Sequence, residues 1–155
     1  MDFYFILKTI HIISATILFG TGLGIAFFML RSFFTENIHE KLYAARNTVL
    51  ADMIFTLPAV IIQPISGVAL IIASGHDWTA PWLVITYTLY GVAGACWLPV
   101  VWIQIQLKKM LITSLADKTP LPERYHRLFR FWFILGWPAF TSLIGIFYLM
   151  VAKPW

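Results

Sequence analysis

Thiol chemistry is all but missing from this chain. Its one cysteine, Cys96, lies in an apolar run, so neither a disulfide framework nor a CxxC pair is available. Charge is scarce as well. Only 12% of the residues are Asp, Glu, Lys or Arg, where a soluble domain carries about 25%. There is no HExxH and no phosphate-binding glycine loop. Serine, histidine and acidic residues never gather at one depth of the hydrophobic pattern, which excludes a hydrolytic triad. Low-complexity segments and internal repeats are missing too. The net charge of +4 comes from residues clustered between hydrophobic runs. That is a topology signal rather than a nucleic-acid footprint, and no nucleic-acid partner is expected.

What the chain does have is hydrophobic length. Of its 155 residues, 60% are hydrophobic, arranged in four runs at about 3–30, 48–73, 82–106 and 131–152. Each reaches the roughly 20 residues that a helix needs to cross a bilayer. The first run is too long for the apolar core of a signal peptide, and no small-x-small cleavage site follows it, so it is expected to remain as a span. Residues 31–46 (RSFFTENIHEKLYAAR) read as a polar connection with a short interfacial helix, 74–81 (SGHDWTAP) as a turn, and 108–130 as the longest polar connection. The expected fold is all-α: an integral membrane antiparallel four-helix bundle, one transmembrane domain over residues 1–155.

Basic residues set the expected orientation. Arg31, Lys41, Arg46, Lys108, Lys109, Lys118, Arg124, Arg127 and Arg130 fall in or beside the first and third connections, against Lys8 and Lys153 on the other side. The positive-inside rule makes the two basic connections cytoplasmic and both termini periplasmic, in a bacterial inner (cytoplasmic) membrane. Trp78, Trp82 and Trp155 then fall near the outer boundary and Trp132 near the inner one, as interfacial belts would place them.

Within this frame His11 stands out. It lies about three residues beyond Lys8, inside the first run (FYFILKTIHIISATILFGTGLGIAFFML), and an ionisable residue at membrane depth is a functional-site hypothesis by default. Ser14, Ala15, Leu18 and Gly22 share its helix face, and Gly20 and Gly24 run beside it in a GxxxG spacing. Such a face lets a neighbouring backbone approach, or leaves room for a flat ligand. Two readings stay open: a ligating histidine, or one that hydrogen-bonds across a tight helix pair. No second histidine sits at that depth, because His39 and His126 lie in the basic connections. His76 approaches only if the outer turn dips inward. Methionine is an alternative axial haem ligand, and Met29 and Met53 are the intramembrane candidates, both nearer the basic end. A five-coordinate haem, or one completed by water, stands beside those pairs. Asp52 is expected to pair with Arg46 or Arg31 or to be protonated, Gln63 to serve a carbonyl freed at Pro64, and Gln104 to sit wet near the inner boundary. Asp77 is expected to form an ordinary turn.

Longer stretches carry a family likeness. LKTIHIIS, the Pro58-Ala59 pair followed by Gly67, Trp82-Leu83, ERYHRLFR and the ending VAKPW resemble, in order, the HemJ family of four-helix membrane proteins associated with protoporphyrinogen oxidation. The HemJ pattern has a lysine shortly after the tryptophan of the third helix and an Asn-Glu pair before the fourth-helix proline. This chain reads WLVITYT and FILGWP there. LYGVAGACWLPVVWIQIQL and RYHRLFRFWFILGWPAF are similar to DUF2269, a family of small bacterial integral membrane proteins whose name carries no function. The HemJ likeness implies a haem b-binding bundle in which His11 is the metal ligand, with Ser14, Gly22 and Met53 as further cofactor-binding candidates. It implies a haem-dependent membrane oxidoreductase, moving electrons or oxidising a small hydrophobic, tetrapyrrole or quinone-like molecule. The alternative is a cofactor-free bundle that anchors or assists a partner protein. The lipid bilayer is the expected partner in either case, and a homo-oligomer stays open.

Overall fold

Three short breaks divide an otherwise helical chain. In the computed structural model, which describes residues 2–154, four helices follow one another: α1 (Asp2–Phe33), α2 (Ile38–Ser74), α3 (Pro81–Asp117) and α4 (Glu123–Ala152). The first break ends at Asn37, whose side chain accepts from the His39 N–H at 2.9 Å and caps α2. The second begins at Gly75, which closes α2 in the left-handed conformation at φ 67°, a geometry that costs a residue with a β-carbon about 1–2 kcal/mol. Pro81 then opens α3, where its missing N–H leaves nothing unsatisfied. Lys118, also left-handed, ends α3, and Pro122 leads into α4.

The helices are longer than the apolar runs. At 32, 37, 37 and 30 residues they measure about 45–55 Å, against roughly 30 Å of hydrocarbon. The excess lies at the end carrying the basic residues, here termed the basic end. The connections expected over 31–46 and 108–130 are therefore mostly helix, and only about four or five residues of each are irregular. Most of their charged residues occupy the outer faces of helices that continue beyond the apolar spans, whereas Ser32, Lys41 and Ser114 are buried.

All four helices are long and apolar enough to cross a membrane, so this is a multi-pass integral membrane protein. α3 and α4 form the most extensive pair, the second half of α2 lies along α1, and the first half of α2 wedges between the basic ends of α1 and α3. Two clusters close the bundle. The basic-end core holds Met29, Leu42, Ala45, Ile103, Leu107, Leu111, Tyr125, Phe129 and Trp132. The opposite core holds Ile71, Trp82, Leu83 and Leu149. Trp82 and Trp132 are thus packed inside the protein instead of forming a belt, because each ring fills the space where helices converge. Trp78 is exposed at the outer turn, and Trp155 lies outside the described residues.

α2 is not a regular helix throughout. Asp52–Thr56 form a π-helical turn in which the Leu57 N–H reaches back to the Asp52 carbonyl. Pro58 stands two residues after Thr56, and its ring cannot be accommodated over the preceding turn of a straight helix, so the widened turn falls where the backbone must already yield.

Candidate functional site

Between the two cores, α1 and α2 meet through small and polar side chains. His11 and Ser14 stand one turn apart on α1, opposite Ala59, Gln63, Ser66 and Gly67 on α2. Three hydrogen bonds cross the interface. His11 Nδ1 lies 2.8 Å from Ser66 Oγ. Gln63 Nε2 donates to the His11 carbonyl at 2.8 Å, and Ser14 Oγ donates to the Ala59 carbonyl at 3.2 Å. With no water in the hydrocarbon to compete, such bonds hold two membrane helices in one register, each worth about 0.6 kcal/mol and at most about 1.7.

The network assigns the histidine tautomer. Ser66 has one hydroxyl proton, and its Oγ lies 2.7 Å from the Ile62 carbonyl, the partner one turn back. The hydroxyl donates there and accepts from His11, which places the imidazole proton on Nδ1 and leaves the Nε2 lone pair bare. His11 is half-buried. A β-carbon added at Gly67 would lie 3.5 Å from His11 Cε1, so the ring rests against the α2 backbone. Gly67→Ala should therefore be tolerated, whereas Gly67→Leu should push the ring off Ser66 and cost about 1–3 kcal/mol. Unfolding of the two purified variants in detergent checks this; equal stability of Gly67→Leu and wild type would refute the contact.

Pro64 is served from elsewhere than expected. It has no N–H to offer the Val60 carbonyl, and the Tyr90 hydroxyl of α3 donates to that carbonyl instead, at 2.6 Å. Gln63, expected to serve this kink, is committed to the backbone of His11.

The structure brings together only part of the expected site. Ser14 is buried beside His11. Gly22 lies three turns further along α1, where a β-carbon would be 3.5 Å from the Phe140 ring of α4. Phe19 reaches the same ring edge-on, so this face is filled by aromatics. Met53 is separated from His11: it stands 13 positions from Ser66 along α2, about 20 Å, with its side chain exposed on the outer surface. Met29 is fully buried in the basic-end core. Gly20 and Gly24 have nothing packed over them within the chain. His76 does not dip inward. It lies 3.5 Å from Lys153 Nζ and edge-on to Trp82, beyond the end of α2. Asp77 makes a turn, accepting from the backbone N–H and the hydroxyl of Thr79, and these two bonds, the backbone one foremost, hold its carboxyl below the usual carboxylate range.

Two further expectations are corrected. Asp52 does not pair with Arg46 or Arg31, both exposed; it is 1% exposed, and its polar neighbours are Thr56, Trp97 and Gln104. Gln104 is not wet but buried. In each case a helix extending beyond the apolar run carries the basic residues outward and leaves the polar residue inside the bundle.

The sequence singles out His11 and Ser14 but not Ser66 and Gly67 as the residues that meet His11, nor Tyr90 at the Val60 carbonyl or Trp97 beside Asp52. The available signal was local: Ser66 and Gly67 lie two and three residues after Pro64 in an otherwise apolar run. Among the described residues no group of three or more His, Cys, Asp or Glu is placed to hold a metal ion. The chain belongs to the DUF2269 family, described as a predicted integral membrane protein, whose model matches residues 5–154. No curated protein and no solved structure matches it.

Proposed function

We propose that this DUF2269 member binds haem b through His11 Nε2 and serves a HemJ-like redox role in the bacterial inner membrane. The single observation that carries this reading is the hydrogen bond of His11 Nδ1 to Ser66, at 2.8 Å. A ligating histidine characteristically donates its other ring N–H to a fixed acceptor, which sets the tautomer and ring orientation. Ser66 supplies that acceptor, Gly67 leaves space for the ring, and Gln63 fixes the α1 backbone at the same residue. Met53 is exposed and Met29 lies in the distant core, so among the described residues His11 would be the side chain that holds the group. Bound haem supplies one-electron chemistry, suited to passing electrons or to oxidising a small hydrophobic, tetrapyrrole or quinone-like molecule. The basic residues support an orientation with the basic end cytoplasmic and both termini periplasmic.

A second reading is favoured by the same interface taken as a whole. Three polar stitches within two turns, from His11, Ser14 and Gln63, are also what a cofactor-free bundle needs to keep α1 in register while it anchors a partner protein. Absorption spectra of detergent-purified protein expressed with ample haem, oxidised and dithionite-reduced, separate the two. The haem reading expects a Soret band with reduced α and β peaks, lost in His11→Ala and shifted in Ser66→Ala. A colourless wild-type protein overturns it, and a band unchanged in His11→Ala removes His11 as the ligand.

A further inference from the structure

Asp52 lies in the membrane-spanning helix α2 with 1% of its surface exposed, and it is not used by the site around His11. A buried carboxylate costs several kcal/mol unless something neutralises it. Nothing basic does so here. Arg31 and Arg46 are exposed, as is Arg130 on α4. Lys41 is committed to the Ser32 and Phe33 carbonyls. Lys108, one turn beyond Gln104 on α3, is half-buried and makes no ion pair with Asp52. The neighbours are instead three uncharged side chains, Thr56, Trp97 and Gln104.

Among the described residues six buried side-chain polar atoms lack a hydrogen bond; two belong to Tyr125 and Trp132 of the basic-end core, and the other four meet in this cluster. Asp52 Oδ2, Thr56 Oγ1, Gln104 Oε1 and Trp97 Nε1 are all buried without a hydrogen bond, although the large majority of buried side-chain polar atoms in proteins are paired. Elsewhere in the chain hydroxyls donate to the carbonyl four residues back, as in Thr16 to Ile12, Thr86 to Trp82 and Thr141 to Trp137. Thr56 makes no such bond to Asp52, the residue four back, whose carbonyl heads the π turn and accepts from the Leu57 N–H. An unpaired hydroxyl thus lies beside a buried carboxyl, and π turns recur at functional sites. On α3, Trp97 and Gln104 are seven residues apart, two turns along one face, and bring an N–H and an amide oxygen to the same place.

We propose that Asp52, Thr56 and Gln104 form a binding site for one monovalent cation, a proton or a sodium ion, inside the bundle. The charge sets the valence: one carboxylate with no basic partner becomes neutral on taking up a single positive charge. The donors set the class, because carboxylate, hydroxyl and amide oxygens are hard ligands and no thiolate, thioether or imidazole is among them. A divalent ion would leave excess charge in the membrane interior. The Trp97 N–H, a donor only, complements a carboxylate oxygen that the cation leaves free. This site shares no residue with the His11 interface, so its test is independent of haem binding.

Infrared spectroscopy of the full chain in lipid nanodiscs, carrying carboxyl-13C aspartate, reads the site directly. In choline chloride at neutral pH, a bound proton gives an isotope-shifted carboxylic-acid C=O band that is lost in Asp52→Asn and displaced in Gln104→Leu. Raising sodium chloride then distinguishes the two cations. A band that persists identifies the proton, and a band that bleaches while the carboxylate bands shift identifies sodium in exchange for it. A sodium-dependent carboxylate shift without any acid band identifies sodium alone. No acid band and no response to sodium overturns the proposal. Should Asp52→Asn fail to fold, Gln104→Leu and Thr56→Val carry the assignment, and an acid band that neither moves would equally refute it.

Discussion

Lys41→Met should destabilise the protein by roughly 3 kcal/mol, far more than loss of any other charge at the basic end. Its ammonium group donates to the Ser32 carbonyl at 3.2 Å and the Phe33 carbonyl at 2.9 Å, the last acceptors of α1. Hydrogen bonds from a charged donor contribute about 1.5–3 kcal/mol each, and a cation at a helix C-terminus also meets the negative end of its dipole. The side chain is buried, with Nζ 5.5 Å and 6.0 Å from the centroids of the Phe33 and Tyr125 rings, and methionine, apolar and unbranched, fills much of the same space while removing the charge. Lys41→Arg should recover part of the effect. Lys109→Met, at an exposed position, should stay within about 0.5 kcal/mol. Unfolding of the three purified variants in a detergent-to-SDS titration checks all of this. Equal midpoints for Lys41→Met and Lys109→Met would show that Lys41 acts only as one more positive charge at the basic end.

Leu107→Ala should cost about 2–5 kcal/mol, whereas Leu98→Ala should cost little. Both leucines sit on α3, nine residues apart, and hydropathy does not tell them apart. Leu107 is fully buried where α3 meets Met29, Leu111 and Tyr125 in the basic-end core, and shortening it leaves a cavity no lipid can enter. Leu98 is 66% exposed on the outer surface, where a lipid chain replaces the lost methyls and only the transfer energy changes. The same titration distinguishes them, with Leu98→Ala as the reference for lipid-facing truncation. Similar losses at both positions would mean that the basic-end core is not packed as described.

How far the site was legible differs from residue to residue. His11 was visible because an ionisable group well inside an apolar run, beyond the Lys8 near its start, is expensive whatever the fold. Ser14 followed from helical spacing alone. Asp52 is visible for the same reason as His11, but the sequence points to arginines nearby in the chain as its partners. That follows if α2 begins at the apolar boundary; the helix instead begins at Ile38 and carries Arg46 away on an exposed face. Gln104 was misread for the matching reason at the end of the third run. Ser66, Tyr90 and Trp97 could not be assigned in advance, because each acquires its role from a backbone or side chain on another helix.

The number of spans, the helical class and the concentration of positive charge at one end were determined by the sequence itself. They depend on sums along the chain: the length of an apolar run against bilayer thickness, and the distribution of lysine and arginine between connections. Which face of each helix turns inward was decided only by the tertiary structure. In a soluble helix the polar face identifies the buried one, but in these spans nearly every face is apolar, so the pattern contains no such mark. The choice falls to close packing and to the few polar groups that must find partners away from water. That is why Ser66 selects His11, Tyr90 selects the carbonyl that Pro64 abandons, and Thr56 and Asp52 of the π turn face Gln104 with polar atoms unpaired.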